Sequence, residues 1–401
     1  MVQSPLRTEH ERYARVETLR LGGVPVAVEW LPYGAEISGV PQEIVATYGL
    51  VELEYAAFRR GTAVMDRTDR ATLAVTGKDR VEFLNRMVTQ ELKGMTAGQA
   101  RTAFWLNRKG RIDADLLLCE LPDQLLVDLD IHDAAGAVKS LGAFIFAEDV
   151  QIADVSDQWV RLSLHGPGAL ELLADAGAPT DSVRALTESG SCVAFDVEGT
   201  RAVAARRDQC AAPGVELWVS CSAAIPLFEN LTRIQEGTPH GRRAARPAGW
   251  YAYNIARIEA GTPLFHVDFG PENLPHESGV LHERVSFKKG CYLGQEVVAR
   301  MESLGKPKQR LVALKVIDDL LPTAGSPIFE RSADGEPGNP VGAVTSSALS
   351  PMLGAVPIAF AMVKSAHAGA ETVLVAPAEG GRTEVRVRPQ LPFLNAEGKP
   401  L

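Results

Sequence analysis

The stretch GRIDADLLLCELPDQLLVDLDI, residues 110–131, consists of two apolar runs on either side of Leu-Pro-Asp. Short apolar runs parted by a turn-forming triplet read as paired strands rather than one helix. Asp113 and Asp115 lie two apart, so on a strand they face the same way, and Arg111 joins them. A carboxylate beside a run of leucines is costly to bury unless it is paired. Asp115 is therefore either a functional group or the exposed end of a strand.

Working outward, VELEYAAFRR from Val51 reads as a helix, ATLAVTG (71–77) as a strand, KDRVEFLNRMV (78–88) as a helix, and DAAGAVKSLGAFIF (133–146) as a further helix. The alternation then recurs. WVRLSLHG is a strand, PGALELLADAG a helix, SCVAFDVEG and RAVAARRD lie at hairpin spacing, GVELWVS is a strand, and AAIPLFENLTRI a helix. Two similar blocks predict an α+β fold built from two related mixed α/β modules, over 51–155 and 156–308. After about Gln309 come short strands separated by Gly, Pro and Ser, which predict a small C-terminal β-barrel and tail over 309–401. Residues 1–50 offer no clear period and read as an irregular lead-in or short strands.

A chain of 401 residues is long enough for more than one core. Its formal net charge of −9 disfavours tight, nonspecific binding to nucleic acid. The five cysteines, Cys119, Cys192, Cys210, Cys221 and Cys291, are scattered and show no zinc-ligand spacing, which predicts a reduced, cytoplasmic protein with no metal site. The charged N-terminal residues lack the apolar core of a secretory signal, and no run reaches the ~20 apolar residues of a membrane span.

Three other stretches carry chemistry. In SFKKGCYLGQEVVAR, residues 286–300, Gly294 permits a sharp turn and a helix begins after it. Cys291 is then close to a helix N-terminus and to Lys288 and Lys289, which would favour a thiolate; the alternative is a small residue at a tight turn. Between 281 and 310 seven Lys/Arg face three acids, a local excess of +4 in an acidic chain, whose ordinary reading is a solvated helix face. In PGVELWVS, Glu216 sits inside an apolar strand; it is either outward-facing, or buried against a partner such as a ligand with N–H donors. In GWYAYNIARIEAG, Arg257 either clamps a ligand carboxylate or pairs with an Asp or Glu.

In this order the motifs resemble the aminomethyltransferase family, the T-protein of the glycine cleavage system and its relatives. LNRKGRIDADLLL looks like the family's glycine-plus-aspartate strand, PGVELWVS like its Gly-x-Glu strand, and RPAGWYAYNIARIEAG like its Arg-Asp-x-x-Arg-x-Glu helix, with Arg257 and Glu259 retained. NPVGAVTSSALSPMLG looks like its C-terminal barrel motif. Within the family, KGCYLGQE (Lys289, Gly290, Cys291, Tyr292, Gly294, Gln295, Glu296) resembles the YgfZ-type folate-binding proteins, which support iron-sulfur cluster assembly or repair and tRNA modification. Tyr253 and Asn254 stand where the transferases have Arg-Asp, and Thr102 and Cys119 where they have tyrosines.

The resemblance implies domains around a central channel that binds tetrahydrofolate or a derivative, with Glu216 holding the pterin and Asp115 at the reacting edge. It implies Asp115 and Cys291 as catalytic residues, and Arg257, Lys289 and Tyr292 as further cofactor contacts. The expected function is an iron-sulfur accessory role with iron-sulfur assembly proteins as partners; the alternative is a folate-dependent aminomethyl- or methyltransferase or demethylase.

Overall fold

The computed structural model describes residues 4–197, 199–233 and 244–401. In chain order it begins with α1 (Arg7–Arg20), β1 (Glu29–Pro32), β2 (Glu43–Thr47), α2 (Val51–Arg60), β3 (Ala63–Asp66), β4 (Arg70–Thr76) and α3 (Arg80–Met87). Next come β5 (Ala100–Leu106), β6 (Ile112–Glu120), β7 (Leu125–Asp130), α4 (Ala134–Gly142), β8 (Gln151–Asp154) and β9 (Trp159–His165). They are followed by α5 (Ala169–Asp175), α6 (Thr180–Ala185), β10 (Cys192–Val197), β11 (Thr200–Arg206), β12 (Gly214–Ser220), α7 (Cys221–Thr232), β13 (Arg246–Pro247) and α8 (Trp250–Ala260). The remainder is α9 (Leu281–Arg284), α10 (Gln295–Leu304), β14 (Gln309–Val316), β15 (Pro327–Arg331), β16 (Pro337–Ser350), β17 (Val356–Lys364), β18 (Val373–Ala378) and β19 (Gly381–Val387).

The strands form a five-stranded sheet in the order β5-β6-β7-β4-β8, a six-stranded sheet in the order β10-β11-β12-β9-β3-β13, and a closed barrel β14-β17-β16-β15-β18-β19. The fold is thus mixed α/β with a C-terminal β-barrel, as the alternation predicts. The barrel closes through antiparallel β14 and β19, and its interior is filled mainly by Val, Leu and Ala, including Leu314, Ile328, Val344 and Val385. On β6 the expected alternation is present: Ile112 and Ala114 are buried, Asp113 and Asp115 half-buried.

Two expectations need correction. The chain divides into two compact units that interleave along the sequence: Met1–Leu84, Leu92–Thr102 and Leu116–Tyr253 in one, Asn85–Glu91, Ala103–Asp115 and Asn254–Leu401 in the other. The boundary near 155 does not separate two self-contained modules, because β3 pairs antiparallel with β9 and so joins the later sheet. All four residues of β3 are buried, which erases the period that would have marked it as a strand.

Of the two readings of residues 1–50, the short strands are present in the described part and the irregular lead-in is not; a helix precedes the strands. These elements are α1 and the antiparallel β1–β2 pair. Helix α1 carries almost no apolar stripe because it is anchored by polar side chains. Buried His10 lies 3.0 Å from Asp66 Oδ2 and 2.6 Å from the Tyr48 hydroxyl, and buried Glu17 accepts a hydrogen bond from Arg246 at 2.9 Å. Helix α7 matches its reading, whose last residue, Ile234, lies outside the described residues. Among the described residues no helix is long and apolar enough to cross a membrane.

Candidate functional site

In the first unit Glu216 lies on β12, where it is 1 % exposed. The β12–β9 register sets Trp218 opposite Arg161 and Glu216 opposite Ser163, so the side chains of 161, 216 and 218 share one face. The Arg161 guanidinium stacks 3.8 Å from the Trp218 ring centroid and reaches Glu216 Oε2 at 3.3 Å. Arg67 reaches Glu216 Oε1 at 3.5 Å and also grips Asp69 with two hydrogen bonds. Arg161 donates as well to Asp128 on β7, and Arg70 binds the same carboxylate at 2.7 Å. One buried cation thereby ties the two sheets of this unit together.

The charges fix one another. Burial would raise the Asp128 carboxyl, but Arg161, Arg70 and Arg207 outweigh it and hold it well below the usual carboxylate range. Burial opposes the charge on Arg67, yet Asp69 and Glu216 raise its pKa well above the ordinary value. His165, fully buried next to this cluster in sequence and stacked on Phe58, is pushed down to about 3 by burial, Arg67 and Arg207, so it is neutral.

In the second unit Asp115 accepts from Arg284 Nε at 2.9 Å, and Arg284, at the end of α9, also binds Glu283 at 3.0 Å. Burial works against the Arg284 charge, and Asp115 and Glu283 raise its pKa despite it. The turn before β6 is set by Asn107, whose Nδ2 donates to Asp113 at 2.8 Å and whose Oδ1 accepts from the Lys109 backbone at 2.9 Å.

The KGCYLGQE segment packs on that turn. Gly294 has φ +80°, in the left-handed region, and caps α10. A Cβ there would stand 2.6 Å from the Asn107 carbonyl oxygen, and one on Gly110 would stand 2.7 Å from Val297 Cβ. Gly294→Ala should therefore destabilise the protein by about 2 kcal/mol, from left-handed strain plus the close approach, and lower its urea midpoint.

Lys289, expected at a cofactor from the resemblance, is held by backbone carbonyls. Its ammonium donates to the carbonyls of Asn85, Val88 and Gln90 at 2.5, 2.7 and 2.9 Å, one for each N–H. Burial lowers its pKa to about 8, which leaves it charged at neutral pH. Tyr292 is also buried, in the apolar cluster of Phe104, Ile112, Phe265 and Val298, and burial raises its hydroxyl to about 12. Gln295 accepts from the Tyr292 amide at 3.3 Å. Cys291, Gly290 and Glu296 are exposed.

Of the two partners open to it, Arg257 takes an aspartate. It is fully buried, with Nη1 2.6 Å from Asp268 Oδ2 and Nη2 2.6 Å from Ser346 Oγ. A β-bulge between Val344 and Ser346 lets the consecutive Thr345 and Ser346 hydroxyls both donate to Asp268 Oδ1. Glu259, two residues on along α8, accepts from Ser350. The helix's Arg-x-Glu and the barrel's Thr-Ser-Ser-Ala-Leu-Ser are thus two halves of one buried lock.

Residues 9–289 match the GCVT N-terminal domain, and residues 309–394 match the glycine cleavage T-protein C-terminal barrel domain. The chain belongs to the glycine cleavage T-protein family. An aminomethyltransferase of Saccharopolyspora erythraea is 29% identical to this T-protein relative over 342 residues, 85% of this chain and 89% of that protein. One from Bacillus subtilis is 27% identical over 316 residues, 78% of this chain and 82% of that protein. The crystal structure of glycine cleavage system aminomethyltransferase T from Bartonella henselae has the same fold, with TM-score 0.79 and 23% identity over 99% of this chain and 98% of that one.

Sequence reasoning about this T-protein relative picked out Glu216 and Asp115 but not their partners Arg161, Arg67 and Arg284. A signal was available for one of them: Arg161 interrupts the apolar run WVRLSLHG, and a cation inside a buried strand requires a buried anion. Arg284, in an unremarkable four-residue helix, gave none.

Proposed function

We propose that the chain binds tetrahydrofolate or a close derivative and transfers a one-carbon unit to or from it, as the names of its aminomethyltransferase relatives indicate. The observation that carries this reading is Asp115, the position matching the family's functional aspartate, which Arg284 orients through a 2.9 Å hydrogen bond. A half-buried, arginine-held carboxylate is suited to stabilise a developing cation or to move a proton. Tetrahydrofolate, when bound, supplies the amine nitrogens that accept the one-carbon unit.

Glu216 is the proposed pterin contact by its match to the family's Gly-x-Glu strand. Each of its oxygens takes a single long contact from an arginine, 3.3 and 3.5 Å, and a carboxylate oxygen has two lone pairs, so acceptor capacity remains for ring N–H donors. Arg257, Lys289 and Tyr292 are not assigned to the ligand, because each has a buried partner or cluster of its own. The test is product formation from tetrahydrofolate and a panel of methylamine-type donors. Asp115→Asn should lower kcat at least ~100-fold with the fold intact, the scale of lost general acid-base help; turnover equal to wild type would remove Asp115 from the chemistry.

Cys291 favours a second reading, a YgfZ-type role in iron-sulfur cluster assembly or repair and tRNA modification. In KGCYLGQE, Lys289, Tyr292 and Gly294 each do a structural job, whereas Cys291 is left exposed with no such job in the fold. Cys291→Ala should change stability by less than about 0.5 kcal/mol, as surface substitutions do. In a strain lacking the native protein, this reading predicts that the variant fails to restore iron-sulfur enzyme activities; full complementation would reject it.

A further inference from the structure

Arg284 holds Asp115, but α9 alone cannot hold Arg284. That helix is a single turn of four residues, too short to be stable by itself, and the carbonyl of its last residue, Arg284, lies beyond the helix's own hydrogen bonds. Thr89, fully buried in the same unit, donates its hydroxyl to that carbonyl at 2.6 Å. A threonine hydroxyl has one proton to give. The Phe104 carbonyl is farther, at 3.1 Å, and already accepts from the Thr89 backbone N–H at 2.9 Å, so the hydroxyl proton goes to Arg284. The same oxygen accepts from the Phe104 N–H on β5 at 2.9 Å. One side chain thus fastens the backbone of Arg284 to a strand.

The flanking residues tighten the same junction. The Ser286 N–H donates to the Thr89 carbonyl at 3.0 Å, Gln90 Nε2 to the Glu283 carbonyl at 3.1 Å, and the Lys289 ammonium to the carbonyls of Val88 and Gln90 on either side of Thr89. Residues 85–90 and 283–289 are therefore held in one register, with the Thr89–Arg284 bond at its centre. From that anchor the Arg284 side chain runs to Asp115, Nε to Oδ1 at 2.9 Å. A shift of the Arg284 backbone by about 1 Å would carry this bond outside hydrogen-bonding geometry.

We propose that Thr89 is a positioning residue for the Asp115 site: its hydroxyl sets the backbone of Arg284 and, through the guanidinium, the orientation of the Asp115 carboxylate. Lys289 of KGCYLGQE then serves that site without touching a ligand, as a clamp on the carbonyls beside Thr89. This role rests on Asp115 acting in one-carbon transfer, and the test therefore has one arm that needs no turnover.

In the full chain, Thr89→Val keeps the shape and removes the donor, whereas Thr89→Ser keeps the donor. With tetrahydrofolate and the methylamine-type donors, Thr89→Val should lower kcat at least ~10-fold while KM for tetrahydrofolate stays within ~2-fold, the pattern of a misplaced group and not of lost binding. Thr89→Ser should return kcat to within ~3-fold of wild type. Without any turnover, the Arg284 Nε–H resonance, assigned by its loss in Arg284→Lys, should exchange with water at least ~10-fold faster in Thr89→Val than in wild type or Thr89→Ser. Ile328→Ala, a cavity inside the barrel, should lower stability and move neither readout. If Thr89→Val does not fold, Thr89→Cys, a weaker donor of similar size, should shift both readouts in the same directions. Faster Arg284 exchange beside an inactive wild type would support the Thr89–Arg284–Asp115 link and overturn the one-carbon reading. Unchanged Arg284 exchange in Thr89→Val, no rescue by Thr89→Ser, or an equal fall of kcat in Ile328→Ala would overturn the role of Thr89.

Discussion

Arg161→Met should lower the unfolding free energy by about 3–5 kcal/mol, the cost of breaking a buried ion pair from one side. Arg161 is the shared partner of Asp128 and Glu216, and all three are nearly inaccessible. Removing it leaves two carboxylates short of a cation, and the stacking on Trp218 goes with it. Arg70 still holds Asp128, so the loss should fall short of complete unfolding.

The same cluster sets an acid limit. The folded Asp128 has a depressed pKa, so its contribution is fully present above the unfolded carboxyl value near 4 and is lost as pH falls through the folded value. Chemical denaturation of the wild type should therefore show stability falling steeply below about pH 4. In Arg161→Met the fall should begin at the same pH but end at higher pH and be smaller in total, because the remaining cations depress Asp128 less. An unchanged midpoint and an unchanged pH profile would show that the cluster is energetically idle.

Lys289→Met should cost about 3 kcal/mol, since three carbonyls that share one ammonium are left to find other partners and each unmet acceptor costs about 1–3. Some relaxation toward water limits the total. The exposed neighbour supplies the control: Lys288→Met should change stability by no more than about 0.5 kcal/mol. Urea midpoints of the two variants give the comparison, and amide exchange should speed up in residues 85–91 of the Lys289 variant alone. Equal effects from both lysines would return Lys289 to the surface.

These two cases show what a linear sequence can and cannot convey. The strands β6 and β7 were legible because alternation and a turn triplet are local signals. The barrel was legible from its cadence of short strands. Helix α1 was not, because a helix anchored by His10 and Glu17 instead of an apolar stripe has no period to detect. Lys289 was expected at a cofactor only through the family resemblance; its acceptors lie in Asn85, Val88 and Gln90, about two hundred positions away, and backbone carbonyls leave no compositional trace.

The candidate site divides the same way. Glu216 and Asp115 stood out as carboxylates within or beside apolar strands, and the structure finds both held by arginine. Their partners depend on register between distant strands and on a short helix, which local spacing does not fix. For Arg257 the sequence allowed a ligand carboxylate or an Asp or Glu; Asp268, eleven positions on and shared with Ser346 and Thr345, takes that place.

The most direct measurement of the central claim is calorimetric titration of tetrahydrofolate into wild type and Glu216→Gln, both at a temperature where each is folded. Glutamine keeps an oxygen for Arg161 while giving up the charge and half of the acceptor capacity that a pterin would use. The account predicts saturable single-site binding to wild type and at least ~10-fold weaker binding to the variant, the scale of one lost charge-assisted hydrogen bond. Absence of binding to wild type, or equal affinity in the two proteins, would contradict it.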